Sequence, residues 1–315
     1  MNPVTDRELW HAGERAAQRR AGTADHMAKV GPHVIRDFMP DQHRALFEQL
    51  PFIVIGALDA EGQPWASMLS GLPGFAASPH SRRLEISSEP IDGDPLKGAL
   101  VVGAPVGVLG IELPTRRRNR MNGFVIAKDE NGFAVQVEES FGNCPQYIQR
   151  RDYKAFARDA PGAIEAFDAL PRAAADLIRR ADTVFVATAA PREDDGYHVD
   201  ASHRGGQPGF LGVDSQGAIV VPDFRGNGFF QTIGNLMIYP QAGLLVPDFH
   251  GGNLLQLTGD VEIVWGGPEV AAFPGAERLW KVRPRAGRWL RGAFALRFGE
   301  AELSPRSLAV GTYPA

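Results

Sequence analysis

The sequence predicts a mainly β (α+β) fold: two tandem antiparallel β modules joined by a helical connector, each module closing into a barrel. Three observations carry this expectation. Short apolar runs broken by Gly, Pro and Asn fill residues 52–139 and return from residue 183 onward. Between them lies "RRDYKAFARDAPGAIEAFDALPRAAADLIRRAD", the main helical stretch, interrupted at Pro161 and Pro171. The two β-rich halves also share landmarks in the same order. "PGF" at 73–75, "VGVLGIEL" from Val106 and "NRMNGFVIA" from Asn119 match "PGF" at 208–210, "AGLLVPDF" from Ala242 and "LQLTGDVEIV" from Leu255. From Gly74 to Gly107 is 33 residues and from Gly209 to Gly243 is 34; Gly107 to Gly123 and Gly243 to Gly259 are both 16. Near-register of this kind points to an internal duplication. Antiparallel units of about 100 residues remove their edges by closing.

Element by element, residues 5–20 are expected as a helix, with Leu9, Ala12 and Ala16 as a narrow buried stripe. "PDQHRALFEQL" is a second short helix started by Pro40 and Asp41. "PFIVIGALDAEGQPWASMLSG" then reads as a hairpin with its turn at 59–62. Each copy opens on an apolar strand, at 52–55 and 184–187, and the glycine in each late strand suits a bulge or a barrel corner. In the second half "TVFVATAA", "GFLGVD", "AIVVPDF", "AGLLVPDF" and "LLQLTGDVEIVW" are strands, and "GAFALRFGEAELSP" ends the chain with one more. The resulting division is 1–45 (helical), 46–150 (first module), 151–181 (connector) and 182–315 (second module).

Composition narrows the function. Of 315 residues 44% are hydrophobic, enough for a substantial core, and the net charge of −4 is mixed along the chain. That balance does not suggest a dedicated nucleic-acid binder, whose affinity would rest on a basic surface. One cysteine excludes an internal disulfide and a Cys-only metal cluster. The longest mostly apolar stretch, "GALVVGAPVGVLGIEL", is short for a bilayer span and is broken by Gly and Pro. The charged N-terminus has no apolar signal core, so a cytoplasmic protein without membrane or nucleic-acid partners is expected.

The richest chemistry follows Asp200. "SHRGG" sets Ser202, His203 and Arg204 before two glycines, where backbone N–H groups, a hydroxyl and a guanidinium suit a phosphate. "PDFRGNGFFQTIGN" adds Arg225, Asn227, Gln231, Thr232 and Asn235. Residues 229–239 are expected as a short helix with Gln231, Thr232 and Asn235 on its near side and Arg225 before its start, a second anion-favouring feature. Neither a Walker A loop nor a Rossmann fingerprint is present.

"DASHRGGQPGFLGV", "DFRGNGFFQTIGNLMIYPQAGLLVPDF", "LLQLTGDVEIVW", "LPFIVIGALDAEGQPWASMLSGLPGF" and "SFGNCPQYIQRR" resemble the FMN-binding split-barrel proteins related to pyridoxamine 5'-phosphate oxidase, and more narrowly their larger flavin-nucleotide-binding branch. The resemblance covers residues 30–265. It implies two split β-barrels, a homodimer, and FMN in a groove between barrels. It implies an oxidoreductase acting on a small-molecule substrate, with electrons from a separate donor reductase, or alternatively a non-catalytic flavin sensor or carrier. Carried over, Ser202 and Arg204 would reach the phosphate or ribityl chain. Arg225, Asn227, Gln231 and Thr232 would form the second wall of the pocket, and Gln256 and Thr258 would approach the ring edge. The oxidases use a lysine in the phosphate cluster; this chain has none between Lys154 and Lys281.

"SFGNCPQYIQRR" admits three readings of Cys144: a nucleophile, a metal ligand, or part of a capped turn. The capped turn is preferred, with Asn143 at its start, Pro145 at the first helical position and Tyr147 packed inward. Arg150 and Arg151 would emerge one turn later, toward an anion or another subunit. The arginines at 116–118 and 120 fall in a hairpin connection, either solvated or capturing an anionic substrate or a redox partner. Trp280 and Trp289 are expected as packing residues. No metal site is expected from the scattered histidines.

Overall fold

The computed structural model describes residues 9–155 and 162–314. Three helices lead: α1 (Ala12–Arg20), α2 (Ala24–Val34) and α3 (Asp41–Gln49). The first module follows as β1 (Phe52–Leu58), β2 (Pro64–Ser70), β3 (Ala76–His80), β4 (Arg83–Ile86), β5 (Pro105–Glu112), β6 (Arg117–Lys128) and β7 (Phe133–Gly142). The linking stretch holds β8 (Tyr153–Ala155), β9 (Ile164–Phe167) and α4 (Arg172–Arg180). The second module is β10 (Thr183–Pro191), β11 (Tyr197–Gly205), β12 (Gly212–Val213), β13 (Ile219–Phe224), α5 (Gln231–Ile238), β14 (Gln241–Asp248), β15 (Asn253–Val264) and β16 (Ala276–Leu290), with β17 (Leu296–Phe298) near the end.

The two sheets have one topology. The first runs β2-β1-β5-β6-β7-β4-β3 and the second β11-β10-β14-β15-β16-β13-β12, strand for strand the same order. Even the irregularities repeat. The β6–β7 ladder slips between Asn122 and Gly123, and the β15–β16 ladder slips between Thr258 and Gly259. These are the glycines 16 residues beyond Gly107 and Gly243. The chain is thus a tandem pair of split-barrel modules.

Period-two burial explains how the modules pair. On β1, Ile53 and Ile55 enter the first module's core, while Phe52 and Val54 belong to a separate cluster. On β10, Val184 and Val186 enter the second module's core, and Phe185 and Ala187 join that same intermediate cluster. Both strands are therefore buried on both faces, one toward their own barrel and one toward the other module. Glycine sets the distance of approach. A Cβ on Gly107 would stand 2.5 Å from the Ala201 nitrogen on β11, and one on Gly243 would stand 2.5 Å from the Trp65 Cα on β2. The reciprocal contacts describe a pseudo-two-fold pairing inside one chain.

Two sequence expectations change. The buried face of α1 is Gly13, Glu14, Ala17 and Gln18 rather than a Leu9–Ala12–Ala16 stripe. A Cβ on Gly13 would lie 2.1 Å from the Gly234 oxygen, so α1 crosses α5 glycine to glycine; residues 5–8 of the expected helix lie outside the described residues. The connector is helical only over α4. β9 adds antiparallel to β16 of the second sheet, and β8 pairs β17 in a separate two-stranded sheet. The middle of the expected helical stretch, 156–161, lies outside the described residues. Among the described residues no helix is long and apolar enough to cross a membrane.

Candidate functional site

A cavity of about 580 Å³ opens where the modules meet, within the size range of small-molecule sites. Its walls come from β6 of the first module and from β11, β13, β16 and the start of α5 of the second, with the turn after β7 and the α1–α2 junction at its margin. Five arginines (Arg118, Arg120, Arg204, Arg225 and Arg278) line it against two carboxylates, Asp223 and Glu277, so its field favours an anion.

Two of the arginines are neutralised in place. Arg278 bonds Asp223 and reaches Glu277 at 3.0 Å. Arg120 is buried, donating to the Asp200 carboxylate at 2.6 Å and to Gln231 Oε1 at 2.7 Å. Asp200 also accepts from Asn122 Nδ2 and Asn235 Nδ2, each at 2.8 Å. Asn235 carries the network on to Thr188 at 3.0 Å and to His11 Nε2 at 2.7 Å. One carboxylate thus ties β6 of the first module to β11 and α5 of the second. Behind it Glu14 is buried, and desolvation, reinforced by Asp200 and Glu139, raises its pKa well above the usual carboxylate range.

The other arginines have weaker partners. Arg204 is half-buried and lies 3.7 Å from Asp223. Arg118 meets no carboxylate among the described residues; it donates to the Cys144 carbonyl at 3.0 Å and contacts His203 Nδ1 at 3.4 Å. Burial first, then Arg120 and Arg204, pull its pKa down to about 9, so it remains charged at neutral pH. An anion would relieve that mutual repulsion. Because Arg118 has only donors, His203 Nδ1 accepts and the imidazole proton resides on Nε2. Burial, Arg118 and Arg204 lower the His203 pKa well below its ordinary value, which keeps the ring neutral. Buried donors on Arg118 Nε, Arg204 Nε and His203 Nε2 have no partner among the described residues, a costly arrangement unless a ligand supplies acceptors.

The start of α5 adds to this. Gln231, Thr232 and Ile233 line the cavity, and the helix begins without a side-chain cap, leaving first-turn N–H groups for a ligand. Thr232 Oγ1 donates to Ser202 Oγ at 3.1 Å, which leaves Ser202 its own hydroxyl proton. Asn227 Nδ2 bonds Asn143 Oδ1 at 3.1 Å across the mouth.

Of the residues expected from the sequence, Ser202, Arg204, Arg225, Asn227, Gln231 and Thr232 line this one cavity, with Arg225 exposed at its rim. Gln256 and Thr258 do not. They are buried on β15, where Gln256 Nε2 donates to Ala66, Ser67 and Asp94. The pseudo-two-fold places β15 at the opposite end of the interface; the strand that reaches this cavity is β6, whose bulge-matched residues are Arg120 and Asn122. Arg118 and Arg120 therefore belong to the site and not to a solvated loop. Arg116 and Arg117 follow the surface reading: Arg117 is exposed at the start of β6, and Arg116, in the turn, bonds Ile148 and Glu302.

"SFGNCPQYIQRR" is a scaffold for the cavity's edge. It forms a turn and no helix: Tyr147 has φ 63°, stacks on Phe224 and donates to the Arg225 carbonyl at 3.2 Å. Gln149 is buried and holds Gly206, Ser304 and Ser307. Neither Arg150 nor Arg151 reaches the cavity. Arg150 pairs with Glu302, and Arg151 is buried against Asp182 at 2.5 Å, because both lie past the turn on the side of the chain end. Cys144 is exposed, and its carbonyl positions Arg118. Trp280 and Trp289 pack in the second core.

No family model and no curated protein matches the chain. Solved structures do, among them HupZ of Group A Streptococcus (13% identity over 36% of this chain and 88% of that one, TM-score 0.28). Another is a candidate pyridoxamine 5'-phosphate oxidase of Lactobacillus delbrueckii (17%, 34% and 95%, TM-score 0.25). A third is HutZ, the heme storage protein of Vibrio cholerae (12%, 40% and 97%, TM-score 0.29).

Proposed function

We propose that the chain is an FMN-binding flavoprotein, an oxidoreductase of the pyridoxamine 5'-phosphate oxidase-like class, with FMN in the inter-module cavity. The observation that carries this reading is the convergence on one cavity of Arg118, Arg204, Ser202, Thr232 and an uncapped helix start, with buried guanidinium donors left unpartnered. A mononucleotide phosphate carries about −1.5 to −2 charge and three acceptor oxygens, which fits that donor set. Arg118 and Arg204 would hold the phosphate, and Ser202, Thr232 and the α5 N–H groups would complete its shell. His203, held neutral with its Nε2–H free, would donate to a further ligand atom.

When bound, the flavin supplies the hydride or electron chemistry on a small-molecule substrate, with electrons from a separate donor. The chain's own groups bind and orient. Asp223 and Glu277 are committed to Arg278 and neither is a spare acid or base. The pairing that the resemblance assigns to two subunits is made here between two modules of one chain, so a second copy is not needed to complete the cavity. A cytoplasmic setting accompanies this reading. Titration of the purified protein into FMN tests it: saturable quenching of flavin fluorescence is expected, and a flat titration would remove it.

A further inference from the structure

The pseudo-two-fold generates a second, matching location, and its occupants can be read position by position. Ile55 opposes Ser67 on β2 as Val186 opposes Ser202 on β11, so Ser67 matches Ser202 and Leu69 matches Arg204. By the shared bulge, Gln256 matches Arg120, and Leu254 matches Arg118. Trp65 stands where Asp200 stands in the live half, donating its Nε1–H to Asp59 at 2.7 Å. Both ligand-facing arginines of the cavity thus have leucine counterparts.

The chain between β4 and β5 completes the contrast. In the second module the corresponding segment, 225–240, forms the glycine turn and α5 that open onto the cavity. In the first, residues 87–104 fold inward, and Leu96 and Leu100 join the module's core at 0% and 1% exposure. Asp94 from this segment reaches the position beside Ser67. Its carboxylate accepts from Ser67 Oγ at 2.6 Å, Leu96 N–H at 2.9 Å and Gln256 Nε2 at 2.9 Å. Ser67 and Gln256 are fully buried.

We infer that the chain is a fused pseudo-dimer with one live site of two. Residues 87–104, through Asp94, occupy the counterpart as a built-in plug, and the first module's role in binding is to supply Arg118 and Arg120 to the second module's cavity. A carboxylate bonded to the counterpart serine takes the position that an anion would take, and the two residues matching Arg204 and Arg118 there are leucines. This inference rests on the FMN reading for its ligand but not for its geometry.

Two measurements test it. Equilibrium dialysis with FMN should saturate at one FMN per chain; two per chain would overturn the inference. The second needs no ligand. In a Cys144→Ser background, Arg204→Cys and Leu69→Cys are exposed to a small methanethiosulfonate reagent under native conditions. The cysteine at 204 should react at least about 100-fold faster than the one at 69, which should react only on denaturation. Equal native rates would overturn the plug. If FMN does not bind at all, the FMN reading fails, and the labelling ratio still decides whether one half is open and the other closed.

Discussion

Removing the Asp200 carboxylate probes the joint that holds the cavity together. Its side chain and that of Arg120 are 5% and 7% exposed and meet at 2.6 Å. Asp200→Ala leaves a buried guanidinium without its counter-ion and withdraws the acceptor from Asn122 and Asn235. Deleting one partner of a buried pair costs about 3–5 kcal/mol, a large share of the roughly 5–15 kcal/mol that holds a typical domain folded. Urea unfolding followed by tryptophan fluorescence should show that loss as a lower midpoint. The companion variant, Asp200→Ala with Arg120→Met, removes both charges and should recover part of the stability, since the main cost is the stranded cation. FMN affinity should fall in both, because Arg120 orients Gln231 at the helix start. A single variant that loses less than about 1 kcal/mol, or a double variant less stable than the single, would refute this account of the joint.

Three further outcomes are expected. Arg204→Ala should weaken FMN by about 1.5–3 kcal/mol, roughly 10- to 150-fold, through loss of a charge-assisted bond; unchanged affinity by fluorescence titration would take Arg204 out of the site. Gly123→Ala would place a methyl 1.8 Å from the Gln136 carbonyl at the β6 bulge. It should cost about 1–3 kcal/mol by overpacking, read as a lowered thermal midpoint, and an undiminished midpoint would count against a required bulge. His43 is buried beside Ser140, and burial, then Arg36 and Arg117, lower its pKa to about 4 from 6.5. The unfolded chain therefore binds the extra proton first, so the stability that neutral His43 contributes is complete above pH 6.5 and is lost as pH falls toward 4. His43→Gln should flatten stability against pH within that window, and an unchanged slope would be the contrary result.

How much was legible in the sequence depends on whether a signal was local. The strands β1 and β10 announced themselves because burial on both faces writes a continuous apolar run. The duplication was visible because bulges and close approaches tolerate only glycine, which fixes spacings. β16 went unread as a strand: arginines and Lys281 alternate with its core residues, and Pro284 interrupts it at the bulge, a position where proline is tolerated. Around the cavity, Ser202, Arg204, Arg225, Asn227, Gln231 and Thr232 come from one stretch of the chain, so their convergence is legible locally. Arg118 and Arg120 were not assigned, because what makes them site residues is a pairing with Asp200 and a contact with His203 some 80 positions away in the chain. Gln256 and Thr258 lie away from this cavity for the same reason: motif order along the chain does not say which module faces which.

Fusion of the two modules changes what a substitution can do. In a pair of identical subunits each change falls twice, so leucine in place of the cavity-facing arginine would alter both cavities. In a single chain β2 and β11 vary independently, and the loss of cations at Leu69 and Leu254 leaves Arg204 and Arg118 untouched. The closed half then gains by becoming core. Leucine at 69 buries apolar surface where an arginine without its anion would be a stranded charge. The inward segment also brings Leu96 and Leu100 under cover, with Asp94 satisfying the serine and glutamine that remain. Selection for stability alone therefore favours closing one half of a fused pair, provided that the strand it shares with the other half, β6, keeps its two inward arginines.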